Sequence, residues 1–380
     1  MALAGCAVAL LVLCFAEAAT YFDQPGGAYL YTRAAFGDFV GFQVGWMTWL
    51  ARVASVASLS AGLSLATSYL WPAAAGGWGR VVVIATPLAL LTWINVLGVK
   101  PGARAAATFA VAKTLPLVLF VGAGLLAIDG SRLAGADWPD TGVLGEATLL
   151  LLFAYAGFEN TPAAAGEYKN PKRDVPFALL TMILLVTLLY TGVQVVALGT
   201  LPGLAESAAP LAEAAALFLG SGAGTLMAVA GVVSIAGNVG NTTLVGPRYL
   251  FALARDGYGP RALAGVHPTY HTPVAAILTQ SLAAGALALS GTFVELAMLS
   301  IVARLATYIG TAAAVPVLRR RLPRLRDGFV IPGGPLIPIG ALALCLVFLA
   351  SATLRNALAG ALALLVGVVI YRFRRPERTV

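Results

Sequence analysis

Residues 151–176 read LLFAYAGFENTPAAAGEYKNPKRDVP. An apolar run of membrane length carries a glycine and a carboxylate in its interior, then ends in a basic, proline-bounded loop. Hydrocarbon offers no water to satisfy backbone groups or a charge, so Gly157 and Glu159 need a structural reason to be inside such a run. The pattern predicts a helix broken around a polar site.

The rest of the chain shares this apolar character. Of its 380 residues 59% are hydrophobic and only 11% charged, and the mean hydropathy is +0.88. A soluble domain does not cover so much apolar surface with so few charges. The chain therefore reads as one all-α polytopic membrane domain spanning 1–380, with the lipid bilayer as its surroundings. Cys6, Cys14 and Cys345 fall in apolar runs without ligand spacing and read as buried small hydrophobes. No disulfide framework, metal site or cofactor is expected from them.

Runs of about 20 apolar residues cross a hydrocarbon core of roughly 30 Å. Eleven candidates meet that criterion, at 2–20, 37–66, 80–98, 104–128, 143–166, 175–200, 218–245, 272–290, 293–317, 333–351 and 355–372. Turn signals separate them: Gln24-Pro25-Gly26-Gly27, Lys100-Pro101-Gly102, Asn170-Pro171, Asp256-Gly257 and Pro332-Gly333-Gly334.

Cations orient the spans. With the tail of Arg372, Arg374, Arg375 and Arg378 on the cytoplasmic side, alternate connectors fall inside and hold most of the remaining basic residues. These are Arg33; Lys100 and Arg104; Lys169, Lys172 and Arg173; Arg248, Arg255 and Arg261; and Arg319, Arg320, Arg321, Arg324 and Arg326. Only Arg80, Arg132 and Arg355 fall outside, and Arg52, Lys113 and Arg304 lie within spans. This asymmetry follows the positive-inside rule, so the net charge of +8 is topological and argues against a nucleic-acid partner. An odd span count then leaves Met1 outside. Ala16-Glu17-Ala18 is similar to a signal-cleavage site, but the missing basic segment before it counts against that reading.

Four stretches, in order, resemble the amino acid, polyamine and organocation (APC) superfamily of secondary transporters. They are LCFAEAATYFDQPGGAYLYTRAAFG (13–37), WINVLGVKPGARAAATFAVAKTLPL (93–117), FAYAGFENTPAAAGEYKNPKRDVP (153–176) and GPRYLFALARDGYGPRALAGVHPTYHTPVAAI (246–277). The resemblance implies a leucine-transporter-like fold of two five-helix inverted repeats, with substrate at their interface near the midplane. On that reading 1–128 forms an incomplete first repeat of four helices, 143–318 the second repeat of five, and 328–373 two additional helices. It also implies that the family's first helix, with its glycine-rich break, is missing, because 1–20 aligns with the second. A start codon placed too late is favoured over a truncated gene.

Candidate site residues follow. The break at 153–160 would expose amide and carbonyl groups and two half-helix ends, able to take both charges of a zwitterionic amino acid. The residues alone leave this level with a packing glycine flanked by core aromatics. By resemblance Phe153, Ala154, Tyr155, Ala156, Gly157 and Phe158 contact substrate, with Phe153 or Tyr155 as an aromatic gate. Glu159 is either a coupling or gating carboxylate or a static ion-pair partner. Lys113 lies roughly 15 Å from the edge of its span, beyond the reach of its stem, and is expected to be buried among helices. In some APC members a lysine at this place substitutes for a sodium ion, which makes the proton the expected coupling ion. The alternative is a structural lysine bonded to helix-break carbonyls.

Other polar residues carry weaker signals. Ser234, Asn238, Asn241 and Thr242 form a stripe at roughly helical spacing, expected to face the interior near Lys113. Arg52 and Arg304 could each recognise an anionic group of a substrate but are read mainly as partners of a carboxylate such as Glu159 or Glu295, and Glu17 is read as a gate or loop anchor rather than a ligand. His267 and His271 are hemmed by Pro268 and Pro273, which disfavours a metal-binding helix. No catalytic constellation is present, so the chain reads as a permease and not an enzyme. It is expected to move amino acids or related amines by proton-coupled alternating access in the plasma membrane, as monomer or homo-oligomer. The alternative is a non-transporting remnant or sensor.

Overall fold

The computed structural model describes residues 1–22, 26–98, 103–133, 140–163, 168–322 and 328–373. The expectations that rest on Gln24, Pro25, Lys100, Pro101, Gly102, Arg324, Arg326, Arg374, Arg375 and Arg378 lie outside these residues, as does the side chain of Arg104. The described residues are helical with short connectors: α1 (Ala2–Thr20), α2 (Gly27–Phe36), α3 (Asp38–Ser68), α4 (Gly77–Val96), α5 (Ala103–Gly124), α6 (Thr141–Tyr155), α7 (Asn160–Ala163), α8 (Pro171–Thr200), α9 (Pro210–Leu219), α10 (Ser221–Arg255), α11 (Val274–Ser290), α12 (Phe293–Arg321), α13 (Leu336–Ala350) and α14 (Leu354–Arg372).

Among the described residues nine segments are long and apolar enough to cross a membrane. The expected spans at 272–290 and 333–351 are the helices α11 and α13, of 17 and 15 residues. At 1.5 Å per residue these fall short of a hydrocarbon core taken straight across. The expected span at 218–245 starts later and runs further. Gly220, at φ 88°, separates the short α9 from α10, which continues to Arg255. Local chemistry explains several starts. Asn170 precedes Pro171 at the first position of α8, where a missing N–H costs nothing. Thr292 and Glu295 form a reciprocal capping box on α12.

The centre of the molecule is an antiparallel pair, α3 and α12. Each has 72% of its apolar window buried, against 6% for α14. Their register can be read from two hydroxyl pairs, Thr48 with Thr307 at 2.7 Å and Ser55 with Ser300 at 2.8 Å. Moving seven residues along α3 moves seven back along α12. Thr48, Arg52 and Ser55 share one helical face, as do Ser300, Arg304, Tyr308 and Thr311, so a polar seam runs between two otherwise apolar helices.

Around this pair, α1, α6, α8 and α13 form the largest apolar cluster, in which Leu11, Phe15, Leu152, Leu179 and Phe348 are buried. At the far side α14 docks on α3 through Trp46, which donates to the Ala363 carbonyl at 2.9 Å, and Gln43, which donates to the Leu364 carbonyl at 3.2 Å. Cys14 and Cys345 are buried as expected, whereas Cys6 is exposed. It sits with Leu3 on the outward stripe of α1.

Candidate functional site

The helix break predicted at 153–160 is present. α6 ends at Tyr155, Ala156 is extended with ψ 147°, and Gly157 has φ 122°, a conformation open to glycine and costly for other residues. The backbone returns through turn bonds from Asn160 N–H to the Gly157 carbonyl and from Thr161 N–H to the Phe158 carbonyl. A Cβ built on Gly157 meets no atom within 4 Å, so the break borders open space and this glycine is not required by close packing.

Glu159 closes the break and binds it to the central seam. Its Oε2 accepts the Gly157 N–H at 2.9 Å. Its Oε1 accepts from Arg52 Nη2 at 3.1 Å and from Arg304 Nη1. The Arg304 guanidinium also donates to Ser300 Oγ at 3.3 Å and to Ser55 Oγ at 2.6 Å. Arg52, Glu159 and Arg304 are all buried. The Arg52 guanidinium lies 5.8 Å from the centroid of the Tyr249 ring on α10. The expected pairing of the arginines with a carboxylate thus falls on Glu159 for both, while Glu295 caps α12 and reaches Arg355 at 3.4 Å.

The residues named around the break divide into two groups. Ala154 is exposed, and Ala156 and Gly157 are partly so. Phe153 is partly buried and meets Phe293 edge to face at 5.9 Å. Phe158 is packed into the core, stacked on Tyr308 at 5.4 Å and edge-on to Phe15 at 5.3 Å. Tyr155 is also buried, and its hydroxyl donates to the Met1 carbonyl at 3.1 Å. Both aromatic rings hold neighbouring helices.

Lys113 corrects an expectation. It is exposed rather than buried among helices, and it lines a cavity of about 360 Å3 bordered by α5, α9 and α10. Lys113 lines this cavity with Pro116, Leu117, Met227, Gly231 and Ser234. Of the polar stripe on α10, only Ser234 shares the cavity with Lys113. Asn238 and Asn241 are exposed, and Thr242 is partly buried and accepts from Gln280 through its carbonyl at 3.4 Å.

Two clusters lie nearer the helix ends. Glu17 is an anchor: Arg319 grips both its oxygens at 2.6 Å, and the Ile331 N–H donates to it at 2.8 Å. On α2, Tyr29 donates to Asp256 at 2.5 Å, and Arg33 binds Asp38 and Asp256 at 2.8 and 3.2 Å. Burial, and then the bond to Asp256, push the Tyr29 phenol well above its ordinary pKa. His267 Nδ1 accepts two backbone N–H groups, from Thr269 and Tyr270, which makes it a turn residue.

A membrane-embedded helix interrupted by an extended residue and a positive-φ glycine, tied to a buried ion-pair cluster, suits solute handling within a bilayer. Residues 1–379 match the family model described as amino acid permease. The chain belongs to the amino acid permease family, within the APC superfamily. This permease is similar to the methylthioribose transporter of Bacillus subtilis, 29% identical over 391 residues that cover 97% of this chain and 83% of the relative. It is likewise similar to two further B. subtilis proteins. One is a branched-chain amino acid permease, 28% identical over 97% of this chain and 83% of the relative. The other is a serine/threonine exchanger, 29% identical over 94% and 82%. The permease is therefore a multi-pass membrane transporter of small molecules and not an enzyme.

Sequence reading did not find Ser55, Ser300, Tyr249 or Tyr308 as parts of this site. The signal was the helical offset: Ser55 lies three residues after Arg52, Ser300 four before Arg304, and Tyr308 four after it, all on the arginines' own faces.

Proposed function

We propose that this permease moves a small amino acid or related amine across the plasma membrane by alternating access with proton symport, its C-terminal tail on the cytoplasmic side. The observation that carries the reading is the break at Ala156–Gly157, where backbone polar groups border open space inside an otherwise apolar segment. Such groups can meet a carboxylate and an ammonium at one place. The relatives are named for methylthioribose, branched-chain amino acids and serine/threonine, so the amino acid assignment rests on the break and the family.

Lys113 is the residue assigned to proton coupling, by its resemblance to the lysine that substitutes for a sodium ion in some APC members, and it lines a cavity of mostly apolar residues. The test is uptake into proteoliposomes holding the purified chain, with an inward proton gradient imposed. Accumulation of an amino acid above its external concentration, lost when the gradient is collapsed, is expected. Lys113→Ala should abolish the gradient-driven part while the protein remains folded. Unchanged uptake in that variant overturns the role of Lys113, and absence of any accumulated solute overturns the transport reading.

A further inference from the structure

We infer that the Arg52–Arg304 pair receives a carboxylate besides that of Glu159, and that the solute therefore carries an anionic side chain. The inference rests on the permease reading above. Its first support is a charge count. Among the described residues the buried charged groups are Glu17, Arg52, Glu159 and Arg304. Glu17 is satisfied by Arg319 at the helix ends, which leaves two guanidiniums facing one carboxylate in the seam. Arginine does not shed its proton, and the two repel each other. A surplus cation in a low-dielectric interior calls for an anion.

The second support is where the unsatisfied donors are. Arg304 uses Nε, Nη1 and Nη2 on Ser300, Glu159 and Ser55. Arg52 is 2% exposed, and its Nε–H has no acceptor. The Tyr249 ring does not satisfy it, because a ring attracts a cation through its face and leaves the in-plane N–H donor free. The Tyr308 hydroxyl, fully buried, also lacks a partner, and both guanidiniums act on it electrostatically. Glu159 is already committed, one oxygen to the arginines and the other to Gly157.

Two orphaned donors and one surplus positive charge form the complement of a carboxylate: a charge-assisted N–H···O bond from Arg52 and an O–H···O bond from Tyr308. The backbone groups of the break are suited to the α-carboxylate and ammonium of the same solute. The arginine pair, joined to the break through Glu159, is then left for the side chain.

L-glutamate and L-glutamine separate these cases, being alike in shape and different in charge. In proteoliposomes of the full chain, L-glutamate should half-saturate uptake at a concentration at least about tenfold below L-glutamine, as expected for one charge-assisted bond. Arg52→Gln should erase that preference, and Arg52→Lys, which keeps the charge but not the planar donor, should restore part of it. Tyr308→Phe should weaken glutamate several-fold more than it weakens glutamine, and it serves if Arg52→Gln fails to fold. Glutamine taken up as well as glutamate, or a glutamate preference that survives Arg52→Gln, overturns the inference. So does sodium chloride that protects the protein from thermal unfolding as well as sodium glutamate does, since that marks an inorganic-anion site. If glutamate alone protects against unfolding but no solute is accumulated, the carboxylate site stands and the transport reading fails. If neutral amino acids are accumulated and glutamate is not, the reverse holds.

Discussion

Glu159 is shared by two arginines, and this determines what its loss would do. A buried ion pair adds little net stability, but removing one partner strands the other in a medium that cannot solvate it. Glu159→Gln strands two guanidiniums and should cost about 3–5 kcal/mol, read as a lowered thermal midpoint in detergent. Adding Arg304→Gln to that variant should recover part of the loss, which a purely steric effect of glutamine would not allow. At this scale the sequence was informative about charge and poor about partners. Arg52, Glu159 and Arg304 stand out because ionised side chains are rare inside apolar runs. Ser55 and Ser300 do not, since small hydroxyls are ordinary on membrane helices; Ser300 shares Arg304's face of α12, and only the antiparallel register of α3 and α12 brings Ser55 there too.

The break in α6 was legible because a glycine followed by a carboxylate inside a membrane-length run violates the local rules for a continuous helix. What the residues left open was whether Gly157 packs or turns, and its φ of 122° beside open space answers that it turns. Gly157→Ala should therefore act through the backbone alone, costing about 1–3 kcal/mol, with uptake falling further than stability as the segment shifts toward a continuous helix. Thermal unfolding and uptake measured on one preparation would check this; full activity at wild-type stability would show that the turn tolerates a side chain. The placement of Lys113 was not legible in the same way. Its depth along α5 follows from counting residues, but whether a neighbour covers it depends on how α9 and α10 pack beside α5, and no local pattern encodes that packing.

Across the whole molecule, composition was sufficient for the class and the helices were readable from apolar run lengths. The short α2 and α9 were not, because each lies within a stretch that reads as a connector or as part of a longer span. The tertiary tie least visible in the sequence joins Glu17 to Arg319, over three hundred residues away. Glu17→Gln removes one ionic partner and should cost about 1.5–3 kcal/mol, the range for charge-assisted bonds. Limited proteolysis between α12 and α13 should quicken in that variant, because the one remaining acceptor oxygen cannot serve the Ile331 N–H and both Arg319 donors together; an unchanged cleavage rate would reject the anchoring role.

The Glu17–Arg319 contact also sets a lever arm. It pins α1 to α12 near one end of each, while Arg304 sits fifteen residues back along α12, about 22 Å at 1.5 Å per residue. A tilt of α12 by about 5° about that contact would displace the Arg304 guanidinium by about 2 Å, so the Glu17–Arg319 anchor fixes the position of the buried ion pair as well as the helix ends.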